Sequence, residues 1–302
     1  MTQSKPDETK VQPRRSVLYM PGSNAKALDK ARSLAADVRI FDLEDAVAPE
    51  QKHAARDGIA TALGKGGYGR REIVVRVNPL ASMHFNDDIR MVAAATPDAV
   101  LVPKVQSDND VAAVATALEG AGAAQSVGIW AMMESPLAIL NAESIARAST
   151  ALTGRLFTTM VMGTNDLSKD TRARPGNRRA SMTAWLSLCV AAARAHGLDI
   201  IDGVYNDIAD VNGLREECEQ GRDFGMDGKT LIHPDQLDVC NEVFSPRSDE
   251  VEWARRVVAA FSEPANRGKG AIRIDGRMVE LLHAEMAQRV IAISEAIAGV
   301  RT

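Results

Sequence analysis

Residues Val38–Gly64 read VRIFDLEDAVAPEQKHAARDGIATALG, and their order decides the fold class. Val38–Leu43 is a strand-length run without clean polar alternation, the pattern of a strand covered on both faces. Its end carries three carboxylates, Asp42, Glu44 and Asp45. Pro49-Glu50 then opens a helix-like stretch through Leu63 that closes at Gly64. Proline suits a first turn, where an N–H would lack a partner, and glycine suits the stop. A covered strand, a charged corner and a helix in that order make one β/α unit.

The unit recurs along the chain. Strand-length runs also lie at Val17–Met20, Ile73–Val77, Ala99–Val105, Val127–Met133, Leu156–Met162, Leu198–Val204 and Lys229–Ile232. Helix-like stretches lie at Ala25–Ala36, Asp108–Leu118, Pro136–Arg147, Thr183–His196, Asp207–Gly221 and Asp235–Val243. Seven of the eight strands are thus followed by a helix, which means right-handed parallel crossovers. Eight such units fit a closed (β/α)8 TIM barrel, an α/β fold of about 250 residues. A doubly wound open sheet is the alternative, but no G-x-G-x-x-G follows any strand.

Outside the barrel, residues 1–15 are polar with two prolines and read as a disordered leader. The barrel is expected over 16–245 and a C-terminal helical extension over 246–302. In the extension, Asp249–Ser262 leads through the Gly-rich Arg267–Gly270 to an amphipathic stretch from Gly276 to Ala298. A glycine hinge before a terminal helix suggests a lid, and a helix simply packed on the barrel is the alternative.

The 302 residues, 45% of them apolar, suffice for a large core, and the net charge of −4 argues against a nucleic-acid surface. No run approaches the roughly 20 apolar residues that span a bilayer, so no membrane partner is expected. Cys189, Cys218 and Cys240 show no C-x-x-C spacing and read as buried free thiols, consistent with the cytoplasm.

In such barrels the active site lies at the C-terminal ends of the strands. Those positions hold Asp42, Glu44, Asp45, Arg76, Asn78, Lys104, Glu134, Asn165, Asp166, Asp202, Asn206 and His233. So many charges after apolar runs need pairing, water or metal. Glu134 and Asp166 suit a hard cation, Mg²⁺ or Mn²⁺, which takes one or two carboxylates. Salt bridging to Arg76 or Lys104 is the alternative. The five histidines form no zinc-like group. Arg76 can offer a planar fork to a carboxylate or an enolate oxygen. Pro21-Gly22-Ser23 opens a helix bearing Lys26 and Lys30, where phosphate can sit, although from the residues alone Gly-Ser before a helix is usually only a turn and cap. Arg172, Arg174, Arg178 and Arg179 lie in a loop, Ser168–Ser181, expected to face solvent or another subunit.

Five stretches carry a resemblance. They are LYMPGSNAKALDKA (18–31), IFDLEDAVAPEQKHAAR (40–56), VVRVN with VLVPKV (74–78, 100–105), MMESP with GTNDL (132–136, 163–167) and IHPDQ (232–236). In this order they resemble the citrate lyase β-subunit-like and malyl-CoA lyase family of the HpcH/HpaI aldolases, within the phosphoenolpyruvate/pyruvate superfamily. The resemblance implies Mg²⁺ on Glu134 and Asp166, with Glu44 and Asp45 ordering the rim and the metal's waters. It implies Arg76 on the oxo-acid and thioester enolate, and Pro21, Gly22, Ser23 and Lys30, with Lys26 as a weaker candidate, along CoA. It further implies homotrimers or hexamers in which the C-terminal segment covers a neighbour's site. The family often carries Gly-x-Met-Val/Ile-Asp there, its Asp acting as acid/base. Here the run is Gly276-Arg277-Met278-Val279-Glu280, which makes Glu280 the candidate base with one extra methylene.

The resulting expectation is a Mg²⁺-dependent carbon–carbon lyase that splits malyl-CoA or citramalyl-CoA into acetyl-CoA and glyoxylate or pyruvate, or runs the reverse Claisen condensation. Alternatives are a malyl-CoA thioesterase, a non-CoA pyruvate aldolase and a citrate lyase β subunit working with partner subunits.

Overall fold

All eight apolar runs form strands, and the sheet they make closes on itself. The computed structural model describes residues 11–152 and 156–300. The strands are β1 Ser16–Pro21, β2 Val38–Asp42, β3 Glu72–Arg76, β4 Ala99–Val102, β5 Gly128–Met133, β6 Phe157–Met162, β7 Asp199–Asp202 and β8 Gly228–Leu231. Each pairs in parallel with the next, and β8 pairs with β1. The molecule is therefore an eight-stranded α/β barrel, and the open sheet is eliminated.

Strand parity sorts the side chains. Val17, Val38, Ile40, Val74, Ala99, Leu101, Trp130, Met132, Val161 and Ile201 fill the barrel interior as one cluster. The alternate residues, such as Leu18, Phe41, Val75, Val100, Ile129 and Ile200, pack outward in the larger cluster with the helices. Both faces are dry, which is why these runs show no polar alternation. The same parity carries Tyr19, Asp42, Arg76 and Glu134 to the inside of the mouth.

The opposite end is closed by charge. Arg14 makes a two-point contact with Glu72 at 2.7 and 2.8 Å, reaches Asp199 at 2.6 Å, and lies over the Trp130 ring at 5.0 Å. Arg15 pairs with Asp37 at 2.6 Å. Both arginines, grouped with the leader from sequence, are anchors of the barrel floor. Residues 1–10 of the expected leader lie outside the described residues.

Several helices differ from expectation. Ala25–Lys30 stops early because the buried Arg39 guanidinium takes the carbonyls of Ala31, Leu34 and Ala36. Helix Phe85–Ala95, unread in the sequence, turns Asp88 inward with Phe85, Ile89 and Val92, so its apolar stripe is interrupted. Pro136–Arg147 is two helices, Pro136–Leu140 and Ala142–Ala151, which break at Asn141. Cys189, Cys218 and Cys240 are free and buried.

The chain divides into two compact units, one spanning Arg14–Phe244 and the other containing Ser245 onward. The second unit packs helices Ser248–Ser262 and Leu281–Val300 with a hairpin, β9 Ala271–Ile274 and β10 Arg277–Glu280, around Ala254, Val257, Ile272, Val279, Ala284 and Ala287. Gly276–Ala298 is not the single amphipathic stretch that its sequence suggests. Its start is instead a strand, because Asp275 and Gly276 both adopt positive φ, 47° and 78°, in a two-residue turn. No helix among the described residues is long and apolar enough to cross a membrane.

Candidate active site at the barrel mouth

The corner after β2 is held from three sides. Asp42 accepts hydrogen bonds from Arg76 Nε at 2.7 Å and Nη2 at 2.6 Å, and from the Glu44 and Ala46 amides. Lys52 donates to the carbonyls of Leu43 and Glu44 at 2.6 and 2.7 Å. Arg76 also stacks on Tyr19 at 4.8 Å. Burial opposes the Arg76 charge, but Tyr19, Asp42 and Glu44 outweigh it and keep the guanidinium firmly protonated. Burial likewise lifts the Tyr19 phenol above its ordinary range, with Arg76 opposing.

Glu44 is the unusual member. Its Oε2 lies 2.7 Å from Arg76 Nη1, yet the approach is too oblique for a hydrogen bond and the buried oxygen has none. Asp45 stands farther off, at 3.9 Å from Arg76, and is largely exposed. Burial pushes the Glu44 carboxyl up to about 7, with Arg76 pulling the other way and Asp45, Glu134 and Asp42 adding to the rise. A buried carboxyl poised near neutrality can give or take a proton.

The second constellation joins three strand ends. Glu134 follows β5 and is 2% exposed, while Asp166 sits in the first turn of helix Thr164–Thr171. Lys104, just beyond β4, donates its backbone N–H to Glu134 Oε1 at 2.7 Å. Its ammonium lies 3.4 Å from the same oxygen and 2.7 Å from Asp166 Oδ1. Burial raises the Glu134 pKa above the ordinary carboxylate value, and Lys104 only partly offsets it. Gly163 makes this approach possible: a Cβ there would lie 2.3 Å from Glu134 Cβ.

Two carboxylates converging on one positive centre fit a Mg²⁺ ion, which needs few protein ligands. Among the described residues no three His, Cys, Asp or Glu side chains form a fuller ligand set. The remaining positions would fall to water and substrate oxygens.

The turn after β1 is fastened to this corner. Gly22 N–H donates to Asp42 O at 2.9 Å, and a Cβ at Gly22 would meet that oxygen and Ile59 Cδ1 at 2.7 Å. Asn24 caps the six-residue helix Ala25–Lys30 by accepting from the Ala27 amide. Ser23, Lys26 and Lys30 are exposed, and neither lysine has an ion-pair partner among the described residues. Pro21 ends β1.

Other rim candidates are engaged by neighbouring residues. Asn78 is locked to Asp88 and the Leu43 carbonyl. Asn165 and Asn206 pair with each other through reciprocal amide bonds. Asp202 has outward parity and sits in a buried cluster, 2.7 Å from Arg179 and 3.0 Å from Lys229, with Glu217 2.6 Å from Lys229. Arg179, expected on a solvated loop, is 2% exposed there. His233 accepts from the Asp235 amide in a cap. Glu280 ends β10 in the second unit, exposed, its amide donating to His283 Nδ1 at 3.0 Å. Sequence reasoning missed Tyr19, Lys52 and Gly163, although strand parity applied to LYMPG picks out Tyr19.

The sequence model of the HpcH/HpaI aldolase/citrate lyase family matches residues 15–234. The chain belongs to that family. It is 51% identical over 287 residues to a (3S)-malyl-CoA thioesterase of Cereibacter sphaeroides, covering 95% of this chain and 96% of the relative. It is 30% identical to the mitochondrial citramalyl-CoA lyase of Homo sapiens, covering 94% and 86%. The CitE protein of Mycobacterium tuberculosis, in complex with magnesium, acetoacetate and coenzyme A, superposes with a TM-score of 0.73 at 28% identity, covering 94% and 98%. The protein is an enzyme of this family.

Proposed function

We propose that this enzyme hydrolyses the thioester of a 3-carboxy-3-hydroxyacyl-CoA, with (3S)-malyl-CoA as its substrate. The observation that carries this reading is the end-to-end likeness to a (3S)-malyl-CoA thioesterase, half of all aligned residues, against 30% for a citramalyl-CoA lyase.

Glu134 and Asp166 would hold Mg²⁺, or Mn²⁺ on the same oxygens. When bound, the cation would supply Lewis-acid polarisation of the substrate's oxygens. Arg76, fixed by Asp42 and Tyr19, presents its remaining N–H groups to negative charge developing on substrate oxygen. Glu44, whose buried Oε2 has no hydrogen bond, takes a proton from water as the water oxygen bonds to the thioester carbonyl carbon. The C–S bond then breaks, and the thiolate leaves as CoA with that proton, giving malate. Asp45 extends the acidic rim. The Pro21-Gly22-Ser23 turn runs along the CoA arm, and the unpaired Lys26 and Lys30 meet its phosphates.

The assembly belongs to the same proposal. The barrel, over 16–245, and the extension, over 246–302, work as site and lid in a homotrimer or hexamer. Exposed Met278, Leu281, Leu282 and Met286 on the extension support a partner-facing role, as do Met83 in the turn after β3, Leu140 at the end of helix Pro136–Leu140 and Val211 at the start of helix Val211–Asp223. Glu280 reaches the neighbouring site as an acid/base. Three unbridged thiols agree with a cytoplasmic setting.

A second reading, carbon–carbon cleavage, is favoured by the citramalyl-CoA lyase likeness. There Arg76 stabilises the enolate and Glu280 protonates its carbon. The deciding experiment is turnover of (3S)-malyl-CoA and citramalyl-CoA with Mg²⁺ or EDTA, all products resolved. Free CoA with malate supports hydrolysis. Acetyl-CoA with glyoxylate or pyruvate makes the enzyme a lyase, and no turnover of either ester sinks both readings.

A further inference from the structure

Lys104 occupies a backbone conformation that L residues avoid, with φ of 57°. The left-handed turn aims its N–H at Glu134 Oε1, 2.7 Å away. The side chain folds back over the same carboxylate, its Nζ 3.4 Å from Glu134 Oε1 and 2.7 Å from Asp166 Oδ1. One residue therefore grips Glu134 from both ends and ties it to Asp166.

We infer that Lys104 is a built-in counter-ion of the metal pocket, displaced when a divalent cation enters. This rests on reading Glu134 and Asp166 as the metal ligands. The ammonium sits where a cation shared by the two carboxylates must sit, and two positive centres a few ångströms apart repel strongly in a partly buried pocket. Glu134 is 2% exposed on its side chain, and a buried carboxylate stripped of its counter-charge is costly. The metal-free protein thus needs a cation there. Lys104 supplies it and also has a way out, since 39% of its side chain is exposed. When the ammonium withdraws, the backbone N–H remains on Glu134 Oε1, so the carboxylate stays aimed. Metal binding is then an exchange of one cation for another. Lys104 raises the metal concentration needed to fill the pocket and protects the protein when the metal is scarce.

The test is Mn²⁺ binding to the full chain, read by electron paramagnetic resonance, together with the melting temperature in EDTA and in Mn²⁺. Lys104→Met removes the competitor, so the Mn²⁺ Kd should fall by about fivefold or more. Its melting temperature in EDTA should drop, and the rise on adding Mn²⁺ should exceed that of the wild type. Lys104→Gln carries the same expectation should the Met variant fold poorly, and Lys104→Arg, which keeps a cation, should not tighten binding. A residue that merely orders the ligands gives the opposite sign. An unchanged or weaker Mn²⁺ affinity in both Met and Gln variants overturns the exchange. Asp166→Asn must lose Mn²⁺ in every background; if it binds as the wild type does, the ligand assignment falls and the exchange goes with it.

Discussion

Glu44 and Arg76 lie 2.7 Å apart, yet their neighbours treat them differently. Arg76 is surrounded by acceptors and a ring, whereas Glu44 keeps a buried oxygen without a hydrogen bond. The cost of that burial has a pH signature. The Glu44 carboxyl is raised from 4.5 to about 7, so the folded protein keeps a proton that the unfolded chain has lost. Protonation therefore favours the fold. The advantage is complete below about pH 4.5 and disappears as pH rises through about 7. Glu44→Gln should remove this dependence. In EDTA, wild-type stability should decline between pH 5 and 8 relative to the variant, by up to about 3 kcal/mol. Parallel melting curves for the two proteins would contradict the assignment. Gly163 is the other single-atom constraint. Gly163→Ala places a Cβ 2.3 Å from Glu134 Cβ, so the carboxylate must move while the barrel persists. Mn²⁺ affinity should weaken by about tenfold or more, with secondary structure by circular dichroism unchanged.

At the scale of elements, all eight strands were legible because a strand covered on both faces is apolar on both faces. Direction was harder to read. A charge at a strand end was taken as a charge in the site, but parity alone decides which way it points. Glu134 shares parity with the interior Trp130 and Met132, whereas Asp202 shares it with the outward Ile200. The alternation itself carries that distinction. Asp202 instead joins Arg179 and Lys229 between sheet and helices. Burial opposes its charge, and the two cations overcome it, holding the carboxyl below the usual range. Asp202→Asn leaves two buried cations under-compensated and should cost about 3–5 kcal/mol in urea unfolding. A loss below about 1 kcal/mol would mean that the cluster contributes little. Helix Phe85–Ala95 escaped notice for a related reason: Asp88 is on its buried face, bonded to Asn78 and Arg56. The β9–β10 hairpin had a plain signal in Asp275-Gly276 between alternating residues, which the expectation of a terminal helix obscured. No local pattern in the residues announces that Lys104 would turn left-handed, since that geometry exists only once three strand ends meet.

At the scale of the molecule, the barrel carries Glu134 and Asp166, the proposed metal ligands, and the second unit carries Glu280. If the extension serves a neighbouring subunit, two inactive proteins should repair each other. Asp166→Asn and Glu280→Ala, unfolded together and reassembled, should recover about a quarter of wild-type activity by random pairing. No recovery, with oligomers formed, would confine each Glu280 to its own chain or remove its role. The floor of the barrel has a further consequence. Arg14, clasped by Glu72 and Asp199 and laid over Trp130, stoppers the end opposite the chemistry. With the interior filled by side chains and the far end closed, the proposed site is reached from the mouth of the barrel. In the proposed hydrolysis the group that settles deepest leaves last, so the small acid should depart only after the bulky coenzyme has cleared the mouth. Inhibition by the two products should then be unequal, the acid competing with the incoming ester and the coenzyme not.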